Sequence, residues 1–186
     1  MNARNSMVRR TLLLSAAGLL AACLLTGGLA TAAGGGRHAD PALEALLPTT
    51  LGGVALTVES QAGPELTTTS APFDAFLAAL GKARADFTLA SAYAQKGLPA
   101  AVGAWRVRGA DPARLMPGFR AAVQASSATP LTSAGDELAG RPVTRIGDKG
   151  QLAQGTLYAI VRGDTILFVQ TTEKRLAEEA MSKLPR

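Results

Sequence analysis

Few residues of this 186-residue chain have surroundings suited to catalysis or metal binding. The only histidine, His38, lies just beyond the glycine run 34–36, where we expect no rigid structure to hold an imidazole as a base or ligand. The only cysteine, Cys23, lies in an apolar N-terminal stretch, so the rest of the chain has no thiol nucleophile or thiolate ligand. Asp136 and Glu137 are adjacent acids in a predicted loop, but a calcium loop supplies several acids at alternating positions. The sequence therefore predicts no catalytic residue, no metal site and no cofactor.

The linear motifs of nucleophiles and phosphate sites are missing as well. The chain contains no Gly-x-Ser-x-Gly and no Ser-x-x-Lys, so the hydroxyl cluster Thr67–Ser70 is predicted to be a loop with a helix cap. Gly147, Gly150 and Gly155 stand between predicted strands and not before a helix, so they are predicted to be turn residues and not a phosphate cradle.

Four arginines are the best candidates for binding a ligand. Arg106 and Arg108 alternate with Trp105 along a predicted strand and so share the face opposite to it, and Arg141 and Arg145 belong to a nearby strand. Guanidinium groups bind carboxylates and phosphates through paired hydrogen bonds. The four predict an anion-binding face for lipid head groups, a cell-wall polymer or a partner's acids, and a solvated sheet face is the alternative. Trp105 is predicted to lie in the core.

The N-terminus has the pattern of an export signal. Residues 1–10 carry three arginines and no acid, and the segment 12–33 carries no charge. Without those three arginines the chain keeps 16 of its 19 basic residues against 14 acidic ones, so its net charge falls from +5 to +2. A domain this close to neutral gives no electrostatic reason to predict a nucleic-acid partner. We expect it to act outside the cytoplasm, either secreted or attached to the outer side of the cytoplasmic membrane.

Three outcomes are open for the apolar stretch. Signal peptidase could cut after Ala32 and release a chain that begins at Ala33. The sequence 20–23 resembles the lipobox of bacterial lipoproteins, in which Cys23 would carry a lipid, although Leu24 and Leu25 continue the apolar run. The stretch could also stay uncleaved as a weak membrane anchor.

The export route is also open. The arginine pair at 9–10, followed by an Ala- and Gly-rich apolar core, resembles a twin-arginine signal. Ordinary Sec signals contain adjacent arginines as well.

The remaining chain divides into a glycine-rich tether, 34–47, and a single domain, 48–186. Strands are predicted where apolar residues alternate or run continuously, at Val54–Glu59, Asp86–Tyr93, Ala101–Arg108, Pro142–Ile146, Thr156–Val161 and Thr165–Gln170. Helices are predicted around Phe73–Leu80, from Asp111 with a kink or late start at Pro117, and from Thr172 to the end. Ser126–Asp136 is predicted to be a loop.

Short turns between these strands favour antiparallel pairing. The predicted fold is therefore α+β, a largely antiparallel sheet of about six strands with two to three helices packed on one face. Leu51–Thr57 echoes Leu138–Thr144, and each precedes a hairpin and a helix, which suggests two related ββα halves.

Export and the missing catalytic groups together favour a non-enzymatic domain that binds a protein partner or an envelope component. The rival hypothesis is a small envelope enzyme whose carboxylates, serines or arginines come together only in the fold. A structural spacer is a third possibility.

Overall fold

The computed structural model describes residues 37–66, 71–127, 129–147 and 155–186. The predicted lipid-anchor residue Cys23, the predicted cleavage residues Ala32 and Ala33, and the hydroxyl cluster 67–70 lie outside these ranges. Four helices are found within them: α1 Pro41–Glu44, α2 Ala71–Ala79, α3 Pro112–Ala125 and α4 Lys174–Lys183. The strands are β1 Thr50–Leu51, β2 Val54–Ala55, β3 Thr57–Ala62, β4 Phe87–Tyr93, β5 Ala100–Val107, β6 Thr132–Leu138, β7 Arg141–Gly147, β8 Thr156–Arg162 and β9 Thr165–Thr171.

Seven of these strands form one antiparallel sheet in the order β3-β4-β5-β9-β8-β7-β6, and β1 and β2 form a separate hairpin. The predicted α+β fold with a largely antiparallel sheet is confirmed. The prediction that Ser126–Asp136 is a loop is wrong, because β6 begins within it at Thr132.

Helices cover both faces of the sheet, so the expectation of helices on one face is not confirmed. The central strand β9 is buried at every residue, and its side chains alternate between two separate apolar clusters. One face, here called the aliphatic face, packs against α1, the β1–β2 hairpin and α4. The other, the aromatic face, packs against α2 and α3. A strand that is apolar on both sides requires cover on both sides.

The aromatic face is organised around Trp105, which is 6% exposed and lies in the core as predicted. All five phenylalanines of the chain lie with their ring centroids between 5.0 and 6.1 Å from it. Most of these pairs are edge-to-face, the geometry that the ring quadrupoles favour. The rings attach α2 and α3 to the sheet.

Helix α3 begins where its capping residue predicts. The side chain of Asp111 accepts a hydrogen bond from the Ala113 amide, and Pro112 follows in the first turn. The helix continues through Pro117 to Ala125, so the predicted late start is wrong. Gly118 allows α2 close to α3, because a Cβ there would lie 2.9 Å from the Phe76 ring.

The N-terminal segment that enters the domain is packed from Arg37 onward, although 34–47 is predicted to be a tether. Asp40 caps α1 by accepting from the Leu43 amide at 2.9 Å. Leu43 and Leu47 are buried in the aliphatic cluster. Burial of these two leucines explains why the segment lies on the sheet.

The two similar segments Leu51–Thr57 and Leu138–Thr144 contain or adjoin the same kind of turn. Gly52–Gly53 joins β1 to β2, and Ala139–Gly140 joins β6 to β7, each with two consecutive residues at positive φ. This geometry is that of a two-residue hairpin turn. The helices that end the two halves, α3 and α4, lie on opposite faces of the sheet. A relation between whole halves therefore stays a prediction.

Candidate functional site

The structure does not bring the four predicted arginines together. Arg106 lies on β5, whereas Arg141 and Arg145 lie on β7, three strands away. At the usual strand spacing that separation is about 14 Å across the sheet. Arg108 is exposed just beyond the end of β5.

Three of these guanidinium groups are already engaged within the chain. Arg106 donates from Nη1 to Asp40 Oδ2 at 2.6 Å, with its side chain only 25% exposed. Arg141 donates to three main-chain carbonyls at the end of α4, those of Met181, Leu184 and Pro185. Arg145 places Nε 3.6 Å from Asp136 Oδ2. Arg106 and Arg141 therefore hold structural elements in place, and cations near a helix C-terminus such as that of α4 are favourable.

His38 is held in place, contrary to the expectation that nothing rigid surrounds it. The strap Arg37–Ala39 forms a parallel bridge to Ser60 on the edge strand β3. The Ser60 amide donates to the Arg37 carbonyl at 2.8 Å, and the Ala39 amide donates to the Ser60 carbonyl at 3.3 Å. This strap occupies the middle of the β3 edge.

Side chains extend this strap into a polar network. His38 Nδ1 lies 2.8 Å from Glu44 Oε2, and Ser60 Oγ donates to Glu44 Oε1 at 2.5 Å. The same Oγ accepts from the Asp40 amide at 2.7 Å. Ser60 is 1% exposed, so its hydroxyl is closed to a substrate. The network resembles a hydrolytic site in composition, but its serine serves as an internal connector.

A groove lies on the opposite side of the domain, between α3 and the end of the sheet. Its volume is about 390 Å³. One wall is the helix stripe Pro117, Arg120, Ala121 and Gln124, whose spacing places all four on one side of α3. The other wall is formed by Leu131, Thr132, Ser133 and Ile146. Among the described residues of the lining, Arg120 is the only charged one.

Gln124 shapes this groove. Its Nε2 donates to the Thr129 carbonyl at 3.2 Å, and its Oε1 accepts from the Leu131 amide at 2.7 Å. These bonds fix the connection between α3 and β6, so the two walls are held at a constant separation.

The strand β6 beside the groove is the second edge of the sheet. Leu138 and Arg141 flank a two-residue turn and therefore exchange both main-chain hydrogen bonds. Along an antiparallel strand, alternate residues bond to the same neighbour, so Asp136, Ala134 and Thr132 also bond to β7. The N–H and C=O groups of the residues between them, Ser133, Gly135 and Glu137, point away from β7. The Glu137 amide donates to Asp136 Oδ1 at 2.8 Å. No hydrogen bond reaches the outward groups of Ser133 and Gly135 from any other described residue.

Sequence reasoning missed this strand for a physical reason. An edge strand with solvent on several sides shows no clear apolar alternation, and β6 is buried only at Leu138. The Ala139–Gly140 turn is the one local signal that could have marked it, because a glycine in that turn predicts a hairpin.

Among the described residues, no cluster of three or more His, Cys, Asp or Glu side chains could hold a metal ion. In the same ranges no helix has the length and apolar character needed to cross a bilayer. No protein-family model, no curated protein and no solved structure matches this chain.

Proposed function

We propose that this chain is an exported domain of the cell envelope that binds an extended segment of a protein partner at the open edge strand β6 and in the adjacent groove. The observation that carries the proposal is the unpaired edge between Ser133 and Gly135. Exposed strand edges are templates for main-chain pairing, and partner segments use them by adding a strand. Gly135 presents no side chain that would keep a partner's main chain away.

The groove supplies the side-chain part of the recognition. A strand paired with β6 would direct alternate side chains towards the aromatic face, where the groove lies. Leu131, Ile146 and Pro117 offer apolar surface, and Arg120 offers a cation. The proposed partner segment therefore carries an apolar residue and an acidic residue on the same side of its strand.

The burial of Ser60 and the composition of the groove favour binding over catalysis. The nearest approach to an enzyme site is the network of Ser60, Glu44 and His38, in which the serine is sealed from solvent. Within the part of the chain that the structure describes, the groove is lined by no carboxylate, histidine or cysteine. A surface with one cation and hydrogen-bonding main chain suits recognition.

The test is binding to an immobilised library of random decapeptides, with the purified domain from residue 34 onward and the full chain assayed in parallel. We expect both to select peptides that combine acidic and apolar residues. Gly135→Pro removes an outward N–H and should abolish selection, and Arg120→Glu should remove the preference for acidic peptides. Arg175→Glu makes the same charge change on α4, where the side chain is 71% exposed, and should leave selection unchanged.

Two outcomes would overturn the proposal. One is peptide selection that survives Gly135→Pro in a folded variant, since the edge would then be irrelevant. The other is a dimer in sedimentation that Gly135→Pro converts to a monomer, because the occupant of the edge would then be a second copy of the chain.

The cellular location is proposed on the N-terminal sequence alone. Mass spectrometry of the native protein should find a chain that begins at Ala33, a lipid on Cys23, or an intact N-terminus in the membrane fraction. Replacing the arginine pair at 9–10 with lysines should block export if the twin-arginine route is used. Full-length, unmodified chain in the cytosol would overturn the proposed location.

A further inference from the structure

The open edge strand β6 has opposite charges near its two ends. Glu137 is exposed close to the turn that leads into β7, and Arg120 lines the groove together with Ser133, near the start of the strand. Among the described residues, neither charged side chain has an ion-pair partner. Ser133 and Glu137 lie four positions apart, about 13 Å along an extended strand. The edge therefore offers a cation and an anion at separate places.

Three residues of β6 present their side-chain positions to the same face of the sheet. Ser133, Gly135 and Glu137 alternate along the strand, and alternate residues of a strand share a face. Ser133 lies opposite Ile146, which belongs to the aromatic cluster, so this is the aromatic face. In a strand added to β6, the residues opposite these three would face the same way, because cross-strand partners share a face.

The middle position of the three is a glycine with open space above it. A Cβ at Gly135 would have no atom within 4 Å, and its neighbour on β7 is Thr144. An aromatic side chain on an adjacent strand can cover a glycine at a sheet edge. Aromatic rings also bury the largest apolar area of any side chain. We therefore expect an aromatic residue opposite Gly135.

The direction of pairing determines the order of residues in the partner segment. All neighbouring strands of the seven-stranded sheet pair antiparallel, and antiparallel pairing is slightly more stable per residue than parallel pairing. An antiparallel partner runs from Glu137 towards Ser133. Opposite charges that face each other across two strands are favourable, and like charges are unfavourable. The partner segment therefore begins with a cation and ends with an anion.

We propose that β6 and its groove recognise an extended segment with a basic, an aromatic and an acidic residue at alternate positions, in that order. The basic side chain pairs with Glu137, and the aromatic ring covers Gly135. The acidic side chain lies opposite Ser133 and pairs with Arg120 in the groove. This inference rests on the proposed function and adds the residue order to it. The two intervening residues face the other side of the sheet, where Asp136 already has a cation beside it, so their identity matters less.

The experiment compares end-blocked peptides of equal length that bind to the full chain, measured by fluorescence anisotropy. The first peptide has lysine, tryptophan and glutamate at alternate positions and threonine elsewhere. The second has the same residues in reverse order, and the third has alanine instead of tryptophan. We expect the first to bind at least about five-fold more tightly than the reversed peptide, because reversal sets like charges against each other. It should bind at least about ten-fold more tightly than the alanine peptide.

A charge reversal on β6 should change the preference at one peptide position. In Glu137→Lys, the first peptide should bind about five-fold more weakly than to the wild type. A peptide with glutamate in place of its lysine should bind this variant about five-fold more tightly than the wild type. Glu178→Lys makes the same charge change on α4, where the side chain is 47% exposed, and should leave both affinities unchanged.

The outcomes distinguish a failure of this inference from a failure of the proposed function. Equal binding of all peptides that Gly135→Pro abolishes would mean that the edge is used and the proposed order is wrong. No binding of any peptide, or binding that Gly135→Pro leaves unchanged, would overturn both. Equal effects of Glu137→Lys and Glu178→Lys would also overturn the order, since net charge would then determine affinity. If Glu137→Lys fails to fold, the forward and reversed peptides decide with the wild-type chain.

Discussion

On the edge strand β3, the main chain of Ser60 bonds to Arg37 and Ala39. On β6, at the other edge, no described residue bonds to the outward main-chain groups of Ser133 and Gly135. The two edges are roughly 30 Å apart across seven strands. The same sheet therefore has one edge whose middle is covered by its own N-terminal strap and one that is open.

Both edges carry charged side chains. Near the covered edge Asp40 pairs with Arg106 at 2.6 Å. At the open edge Asp136 accepts from the Glu137 amide and lies 3.6 Å from Arg145 Nε, and charged residues on an edge strand discourage indiscriminate pairing. The chain thus limits the accessible part of β6 to a few residues.

The largest effect that tests the comparison of the two edges is expected from proline substitutions at two adjacent positions of β6. Ala134→Pro removes an N–H that bonds to β7, and we expect it to lower the free energy of unfolding by about 3 kcal/mol. Gly135→Pro removes an outward N–H and should change that free energy by less than about 1 kcal/mol. Urea unfolding of both variants measures the difference. Equal destabilisation would mean that the outward direction of Gly135 is assigned incorrectly.

At the covered edge, Ser60→Ala should cost about 2 kcal/mol of unfolding free energy. The substitution leaves the Asp40 amide and one oxygen of Glu44 without their partner in a buried setting. Urea unfolding measures the loss, and hydrogen exchange of the Ala39 amide should quicken because the strap opens more often. Ser133→Ala, on the open edge, is the matched control and should be close to neutral. A neutral Ser60→Ala would show that the strap does not depend on the hydroxyl.

The covered edge also shows why sequence reasoning reaches the fold more readily than the site. The hairpin of β4 and β5, the cap at Asp111 and the buried stripe of α4 follow from patterns within about 15 residues, and the structure confirms them. The bonds of Ser60 to Glu44 and of Arg106 to Asp40 join residues 16 and 66 positions apart. No local pattern encodes such pairs.

The same limit applies to the other site residues. A strand pattern predicts that Arg106 and Arg108 share a face, but strand order decides that Arg141 and Arg145 are far from them. Glu137 is predicted to lie in a loop, and only the register of β6 with β7 places it on one face with Ser133 and Gly135. Sheet order and register depend on the whole fold, so the sequence alone could not assemble these groups.

A smaller effect is expected from His38, the exposed residue of the polar network at the covered edge. His38→Ala removes a contact to Glu44 whose histidine is 54% exposed, so we expect a loss of at most about 0.5 kcal/mol. Urea unfolding at high and low salt measures it, and the difference between variant and wild type should shrink at high salt. A loss as large as that of Ser60→Ala would show that His38, and not the buried serine, holds the strap in place.

The smallest effect concerns two contacts of hairpin turns with α4. The β1–β2 turn bonds to it through the Gly52 amide, and Arg141, beside the β6–β7 turn, bonds to carbonyls at its end. A hydrogen bond from Lys183, followed by one from the Gly52 amide, lowers the pKa of Glu179. Because the folded-state pKa is lowered, this contribution to stability is present above the unfolded-state pKa and is lost as the pH falls through the folded-state value. Lys183→Met should therefore raise the pKa of Glu179 in an NMR titration, while leaving Arg141 and the β6–β7 turn unaffected. An unchanged Glu179 titration would contradict the assignment of Lys183 as the main cause, and a change at the second turn would show that the two turns are coupled through α4.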